Sequence, residues 1–569
     1  MLVWFVALLA CGDPAPVEVA RALPTSEVLD AHCREIIGEP RVEQVSDRVW
    51  VALGYDLANT ILIATSEGNV VVDVGMHPGR ARPAREALLA VSPGPIRHVI
   101  YTHSHIDHVG GADAWVEEGT RIWASENFTD HFFKQYGTFL AAESARAQRQ
   151  FGRGASLEDL PCSALGRRVD LEGALNNGAR MPTDVFSGTA EIELGGVRIE
   201  LVEAHGETHD QLFVWLPEDR ILLPGDNWYR AFPNLYTIRG SAPRPVDDWI
   251  ESLDRMRRLK PEILVPSHTG PLRGEDQVQE ALRDYRDAIQ WVRDAVVRGA
   301  NDGQDVDTLA ETIGLPRHLA EIRANTELYG QVDWSVRAIY GNELGWFDGL
   351  ASELYPLPRP ELAKRTIAAM GGVETVRNLV GNADDPRWSV HLLTLLEAHG
   401  EPVGDELATA YEGVAATVFN TNGRGYLLRA AHERRAGVEG LGEPTLSDDF
   451  VDAIPLDMLF DSLAVRLIPA KAMDVHESVV FQFPDVQYVL TVRRGVAELV
   501  QGTPLPGTPE PVATVVTDAL TWKRVALQKE TAVAAIADGG IVIEGSALGF
   551  AAFMSRFDRA LANPPSRLP

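Results

Sequence analysis

Thr102-His103-Ser104-His105-Ile106-Asp107-His108 follows the apolar run Ile96-Arg97-His98-Val99-Ile100 and precedes Val109-Gly110-Gly111. This order reads as a strand that ends in a loop and passes into a helix start. Three imidazoles and one carboxylate fall within the six residues His103 to His108. On extended backbone, alternate residues such as His103 and His105 point to one side, and Asp107 and His108 then turn toward a second point nearby. Zn²⁺ accepts both nitrogen and carboxylate oxygen, so this loop has the donors to begin two adjacent metal sites.

The pattern H-x-H-x-D-H resembles the signature of the metallo-β-lactamase superfamily. The resemblance extends to Val202-Glu203-Ala204-His205-Gly206-Glu207-Thr208-His209-Asp210-Gln211. Aligning Gly206-x-Thr208 puts Glu207 where the superfamily usually has a histidine as third ligand of the first metal. A carboxylate can ligate zinc, and it adds a negative charge. His205 and His209 flank it, and either could ligate instead or orient Glu207. Asp226 ends the apolar run Arg220-Ile221-Leu222-Leu223-Pro224-Gly225, the family position of the carboxylate shared by both metals. Two nearby cations repel, so a bridging anion suits that position. His268 closes the run Glu262-Ile263-Leu264-Val265-Pro266-Ser267. The resemblance thus implies two Zn²⁺ per chain. His103, His105 and Glu207 would hold one, Asp107, His108 and His268 the other, and Asp226 would be shared.

Two further segments are similar to the alkylsulfatase branch. Asn234-Leu235-Tyr236-Thr237-Ile238-Arg239-Gly240 looks like its N-L-Y-T-L-R-G motif. The likeness makes Arg239 the sulfate-binding arginine, helped by Asn234 or Tyr236. A planar guanidinium suits an oxyanion through parallel donors. Leu344-Gly345-Trp346-Phe347-Asp348-Gly349 is similar to the hallmark of the alkylsulfatase dimerisation domain, which implies a homodimer. The chain departs from that branch in three places. It has Asp226 where most members have Glu, His268-Thr269-Gly270-Pro271 where they carry an aromatic after the histidine, and Gly206-Glu207-Thr208-His209-Asp210 where they resemble T-E-A-P-A-E. These departures mark a divergent branch and bear on substrate more than on fold.

With 569 residues the chain has room for three or four domains. Apolar residues make up 45% and charged ones 23%, a globular composition. The formal net charge of −29 argues against nucleic acid, which needs a basic face. It also opposes long-range steering of an anionic substrate. Three cysteines, Cys11, Cys33 and Cys162, make neither a disulfide framework nor a thiolate zinc site. Met1 to Ala10 followed by Cys11 resembles a lipoprotein signal with its lipobox, although no Lys or Arg precedes the apolar run. A lipidated Cys11 would tether the chain to a membrane in the periplasm or cell envelope; without it the chain would be cytoplasmic. Cys33 and Cys162 could then pair in an oxidising compartment.

The expected architecture is α/β. Residues 1–41 hold the signal and an N-terminal segment. A metallo-β-lactamase αββα sandwich covers 42–276, with strands at Asn59 to Ile63 and Asn69 to Val74 and helices at Pro83 to Val91 and Asp247 to Lys260. A helical dimerisation domain covers 277–436, and a Gly-rich linker runs from Gly437 to Thr445. Residues 446–569 form an α+β domain that resembles sterol-carrier-protein-2 domains, which implies an apolar tunnel for an alkyl tail.

The reaction these residues imply is hydrolysis of a sulfate ester, in particular an alkyl sulfate, to alcohol and inorganic sulfate. Water deprotonated by the metals would be the nucleophile. Asp107, Arg239 and His209 are the candidate catalytic residues, with His209 as a general acid. The same metals also suit another ester, a lactone or a phosphate. A lipid- or surfactant-binding protein with a remnant metal site is the reading outside the enzymes.

Overall fold

The computed structural model describes residues 26–135, 139–442 and 444–558. Cys11 and the lipobox lie outside the described residues.

Two sheets form the first part of the chain. The first runs in the order β1 (Arg41–Gln44), β2 (Val49–Leu53), β3 (Thr60–Thr65), β4 (Gly68–Val72), β5 (Ile96–Ile100), β6 (Arg121–Ser125) and β7 (Asp184–Phe186). Its first four strands are antiparallel neighbours, and β4 to β7 are parallel. The second sheet comprises β8 (Thr189–Leu194), β9 (Val197–Glu203), β10 (Leu212–Leu216), β11 (Ile221–Leu223), β12 (Ile263–Leu264) and β13 (Leu272–Arg273), in spatial order from β13 back to β8. The β8–β9 hairpin turns on Gly195 and Gly196, both at positive φ. A two-residue hairpin of this kind needs φ > 0 at both central positions, which glycine allows without a steric penalty.

The central strands β4, β10 and β11 are buried on both faces, so their sequences are nearly continuous apolar runs. Alternation decides which layer each residue joins. Val70 and Val72 of β4 meet Leu212, Val214, Ile221 and Leu223 between the sheets. Val71 points the other way, beneath Leu88, Trp115, Phe128 and Phe132. Phe213, Trp215 and Leu222 face outward from the second sheet, under Trp249, Leu253 and Met256 of the helix Val246–Arg258 and Leu282, Tyr285 and Ile289 of the helix Glu275–Asn301. The result is the αββα sandwich, with helices on both outer faces.

The helix on the first face starts at Pro78, not at Pro83, and carries Pro83 inside it. Pro83 leaves the carbonyl of Gly79 without its helical donor, a loss a helix tolerates best near its start. The helix Glu275–Asn301 shares one apolar core with the sandwich and with Val332, Val336 and Ile339 of the helix Val332–Leu344. A separate core of Ile367, Val376, Leu392, Leu396 and Leu407 holds together the helices between Arg359 and Ala415. Between these two groups, residues 345–358 lie mostly outside regular structure, with Trp346 78% and Tyr355 93% exposed.

The last part contains a third sheet, ordered β16 (Val496–Gln501), β15 (Gln487–Arg493), β14 (His476–Gln482), β17 (Pro511–Thr517) and β18 (Ile541–Gly545). Phe460, Phe481, Tyr488 and Trp522 pack ring against ring in its core. It docks on the sandwich through Phe450, whose ring meets Phe132 and Phe133 edge to face. Among the described residues, no helix is long and apolar enough to cross a membrane.

Candidate metal centre

Five segments converge at one edge of the sandwich. Asp73 follows β4, the His103 to His108 loop follows β5, Glu207 lies between β9 and β10, Asp226 follows β11, and His268 follows β12. Gly110 and Gly111 let the histidine loop press against the chain after β4. A Cβ at either would come within 2.0 Å of the carbonyl oxygen of Met76 or Val74. The close approach allows Val74 N–H to donate to the carbonyl of His108 at 2.8 Å.

The structure brings the seven candidate ligands together. Donor atoms of His103, His108 and Asp226 lie within 4.8 Å of one another, as do those of Asp107, His108 and His268, and of His105, Glu207 and Asp226. Asp226 Oδ2 stands 3.0 Å from His268 Nε2, 3.4 Å from His108 Nε2 and 3.8 Å from His103 Nε2. Glu207 Oε1 is 3.9 Å from His105 Nδ1. His108 Nε2 and Asp226 Oδ1 are buried without a hydrogen bond. Buried polar atoms normally have a partner, and convergent imidazole nitrogens and carboxylate oxygens are the donor set of a divalent cation. The residues therefore fit a metal centre.

Outer partners aim the imidazoles. Asp73, which sequence reading passed over, accepts from Thr102 N–H at 2.9 Å, Thr102 Oγ1 at 3.0 Å, Ser267 Oγ at 2.6 Å and His108 Nδ1 at 2.8 Å. His268 Nδ1 donates to the carbonyl of Leu57 at 2.9 Å, and His103 Nδ1 bonds Thr102 Oγ1 at 3.1 Å. In each ring the Nδ1 bond turns Nε2 toward the cluster, where His103 Nε2 meets His105 Nδ1 at 2.8 Å and His268 Nε2 meets Asp226 Oδ2 at 3.0 Å. The sequence sign of Asp73 is an acid placed directly after the run Val70-Val71-Val72.

Charge is concentrated here. Burial pushes Asp226 up, but His268 and His108 outweigh it and hold the carboxyl well below the usual range. Burial lowers His103 to about 3. Burial raises Glu207 to about 7 despite the opposing guanidinium of Arg244. His105 is held well below its ordinary value by burial, then by His103, Arg239 and Arg244, so both guanidiniums lie within electrostatic range of the cluster.

Arg239 is half-buried at the end of the Asn234 to Gly240 turn. Gln150 Oε1 fixes that turn by accepting from Arg239 N–H at 2.7 Å and Thr237 Oγ1 at 2.9 Å. With its amide oxygen toward the guanidinium, Gln135 accepts from Arg239 Nη1 at 3.1 Å and Nη2 at 2.9 Å. Asn234 is buried, its Oδ1 is without a hydrogen bond, and its N–H donates to Tyr229 OH at 2.9 Å. Tyr236 is half-buried on the same turn. His209 bonds the carbonyl of Pro243 at 3.1 Å and stacks on His131, while His205 lies 3.5 Å from Asp248. Neither joins the groups of converging donors, which take Glu207 from this segment. A cavity of about 700 Å³ lined by Gly68, Pro95, Arg97, His98 and Arg121 sits where β4, β5 and β6 begin, at the edge opposite the cluster.

Three family models match in succession: the metallo-beta-lactamase superfamily over residues 53–268, alkyl sulfatase dimerisation over 305–437 and alkyl sulfatase C-terminal over 444–563. A linear primary-alkylsulfatase of a Pseudomonas species is 32% identical, over 78% of this chain and 88% of that one. The chain belongs to the alkylsulfatase family. An (R)-specific secondary-alkylsulfatase from Pseudomonas is 27% identical over 90% of this chain and 80% of its own length. The solved structure of the stereoselective inverting sec-alkylsulfatase Pisa1 from Pseudomonas superposes with a TM-score of 0.85 at 26% identity, covering 93% of this chain and 86% of that chain. As an alkylsulfatase-family member the chain thus has a metallo-β-lactamase domain, then a helical dimerisation domain and a C-terminal domain.

Proposed function

We propose that the protein hydrolyses alkyl sulfates to alcohol and inorganic sulfate at a centre of two zinc ions. The observation that carries this reading is the Arg239 turn standing beside the converged donors of His103, His105, Asp107, His108, Glu207, Asp226 and His268. Similarity to alkylsulfatases over most of the chain supports it. When bound, the metal ions supply Lewis acidity and lower the pKa of water. Arg239 supplies a planar pair of donors for the sulfate oxygens; Gln135 holds that guanidinium in place, and Gln150 fixes the backbone that carries it. Asn234 Oδ1, buried and unpaired, is an acceptor at the same turn.

Sulfate release from short and long alkyl sulfates, compared with a phosphate monoester and a lactone, tests the reading. Arg239→Ala is expected to raise KM for the sulfate esters at least tenfold and to change kcat less. Turnover of only the phosphate or the lactone would overturn the substrate assignment. An Arg239→Ala enzyme with unchanged KM would overturn the arginine's role. If the C-terminal domain handles the alkyl tail, kcat/KM rises with chain length.

We also propose a homodimer formed through the exposed apolar segment around Trp346, Leu350, Leu354 and Tyr355. The match to the dimerisation family supports it. A solution mass near twice 62.2 kDa is expected, and a monomer would contradict it. An oxidising compartment is proposed as the location. It is supported by the Cys33–Cys162 disulfide, since such bonds persist there. Recovery of the chain in the cytosolic fraction alone would contradict it.

A further inference from the structure

We propose that Arg244 is the positioning residue of Glu207. It holds one carboxylate oxygen of this ligand so that the other alone faces the metal. The proposal rests on the metal-centre reading above.

The two side chains are a buried ion pair, 4% and 5% exposed. Arg244 Nη1 donates to Glu207 Oε2, while Oε1 faces His105 Nδ1 at 3.9 Å. The carboxylate is thus divided between a guanidinium and the cluster. A buried carboxylate with neither partner would be costly, and outer partners of metal ligands commonly set how well the ligand binds. The fold places the pair with care. Arg244 lies two residues before the helix Val246–Arg258, and that helix is tied to the Glu207 loop once directly and once through Asn227. Ser252 Oγ donates to the carbonyl of His205 at 2.7 Å, and Trp249 Nε1 donates to the carbonyl of Asn227 at 3.0 Å. Asn227 in turn accepts from Glu207 N–H at 3.2 Å and donates to the carbonyl of Ala204 at 2.7 Å. Gly206 permits this contact, since a Cβ there would lie 2.2 Å from Asn227 Oδ1. Arg244 and Glu207 therefore sit at fixed separation on two segments braced against each other.

Charge gives the pairing a second consequence. A glutamate ligand adds one negative charge where a histidine would add none. Together with Arg244 it is neutral as a pair, so the centre keeps the positive field an anionic ester requires. A guanidinium also repels metal ions. That repulsion acts whatever residue stands at 207, whereas the orienting bond exists only with a carboxylate there.

A double-mutant cycle separates the two effects. Metal-free full-length chains are titrated with Zn²⁺ in competition with a chromophoric chelator. The chains are wild type, Arg244→Gln, Glu207→His and the double variant. The Gln substitution is expected to cost at least about tenfold more zinc affinity, at one site per chain, when Glu207 is present than when His replaces it. Equal effects in both backgrounds, including equal failure to fold, would make Arg244 a structural residue only and overturn the proposal. A single variant that fails to fold while the double variant folds and binds zinc would support it. A wild-type chain that takes up no zinc would overturn the metal reading and this proposal together.

Discussion

Asp73 makes four hydrogen bonds at once, to Thr102 N–H, Thr102 Oγ1, Ser267 Oγ and His108 Nδ1. It thereby locks the loop of the first ligands to the residue before His268. Asp73→Asn would keep the shape and remove the charge, and one face of the amide would donate where an acceptor is needed. The expected outcome is a loss of zinc affinity of about 10–100-fold with the fold intact, read by chelator competition. Unchanged affinity would mean His108 is oriented by something else. Asp73 shows why part of the centre was not legible in sequence. His103 to His108 declare themselves because their spacing is the chemistry. Asp73, Arg244, Gln135 and Gln150 act through contacts between residues far apart in the chain. A lone Asp after a strand or a lone Arg before a helix has no local pattern to distinguish it. Glu207 is the intermediate case. Its segment offered Glu207, His205 and His209 in five residues, and only side-chain direction separates them in the fold.

At the scale of elements, the strands flanking the centre were the easiest to read, because burial on both faces makes them continuous apolar runs ending at ligands. The helix from Pro78 was harder, because Pro83 is itself a start signal. The N-terminal helix Ser26–His32 and the turn Cys33–Ile37 depend on tertiary context. They are held by the Cys33–Cys162 bridge, with Cα atoms 5.7 Å apart, and by His32 Nε2 on the carbonyl of Ala164 at 2.7 Å. The loop they grip meets the centre, since Leu165 accepts from Thr269 N–H beside His268. Burial lowers His32 from 6.5 to about 4. Between those values the unfolded chain binds more protons than the folded one. The contribution of His32 is therefore complete above pH 6.5 and is lost as pH falls toward 4, roughly 3 kcal/mol across the window. Urea unfolding of the metal-free chain is expected to show this acid slope, and His32→Gln is expected to flatten it. Equal slopes in both proteins would remove His32 from the account.

Across the whole molecule, a net charge of −29 surrounds a centre built to receive an anion. The local field must come from the metals with Arg239, which depresses His105 from the edge of the cluster, while Arg244 offsets the charge of Glu207. The C-terminal domain reaches the same neighbourhood. Phe450 packs on Phe132 and Phe133, and the helix carrying those rings, Phe128–Gln135, ends in the residue that grips Arg239. The succession of sandwich, helical domain and α+β domain was visible in composition and motif. How the last docks on the first was not, because Phe450 sits in a short helix with no motif of its own. The most direct measurement is metal content of the purified chain together with sulfate release from dodecyl sulfate, with and without chelator. Two zinc ions per chain and release that stops with chelator are expected. A chain that binds no metal, or that releases sulfate equally after the metal is stripped, would contradict the account.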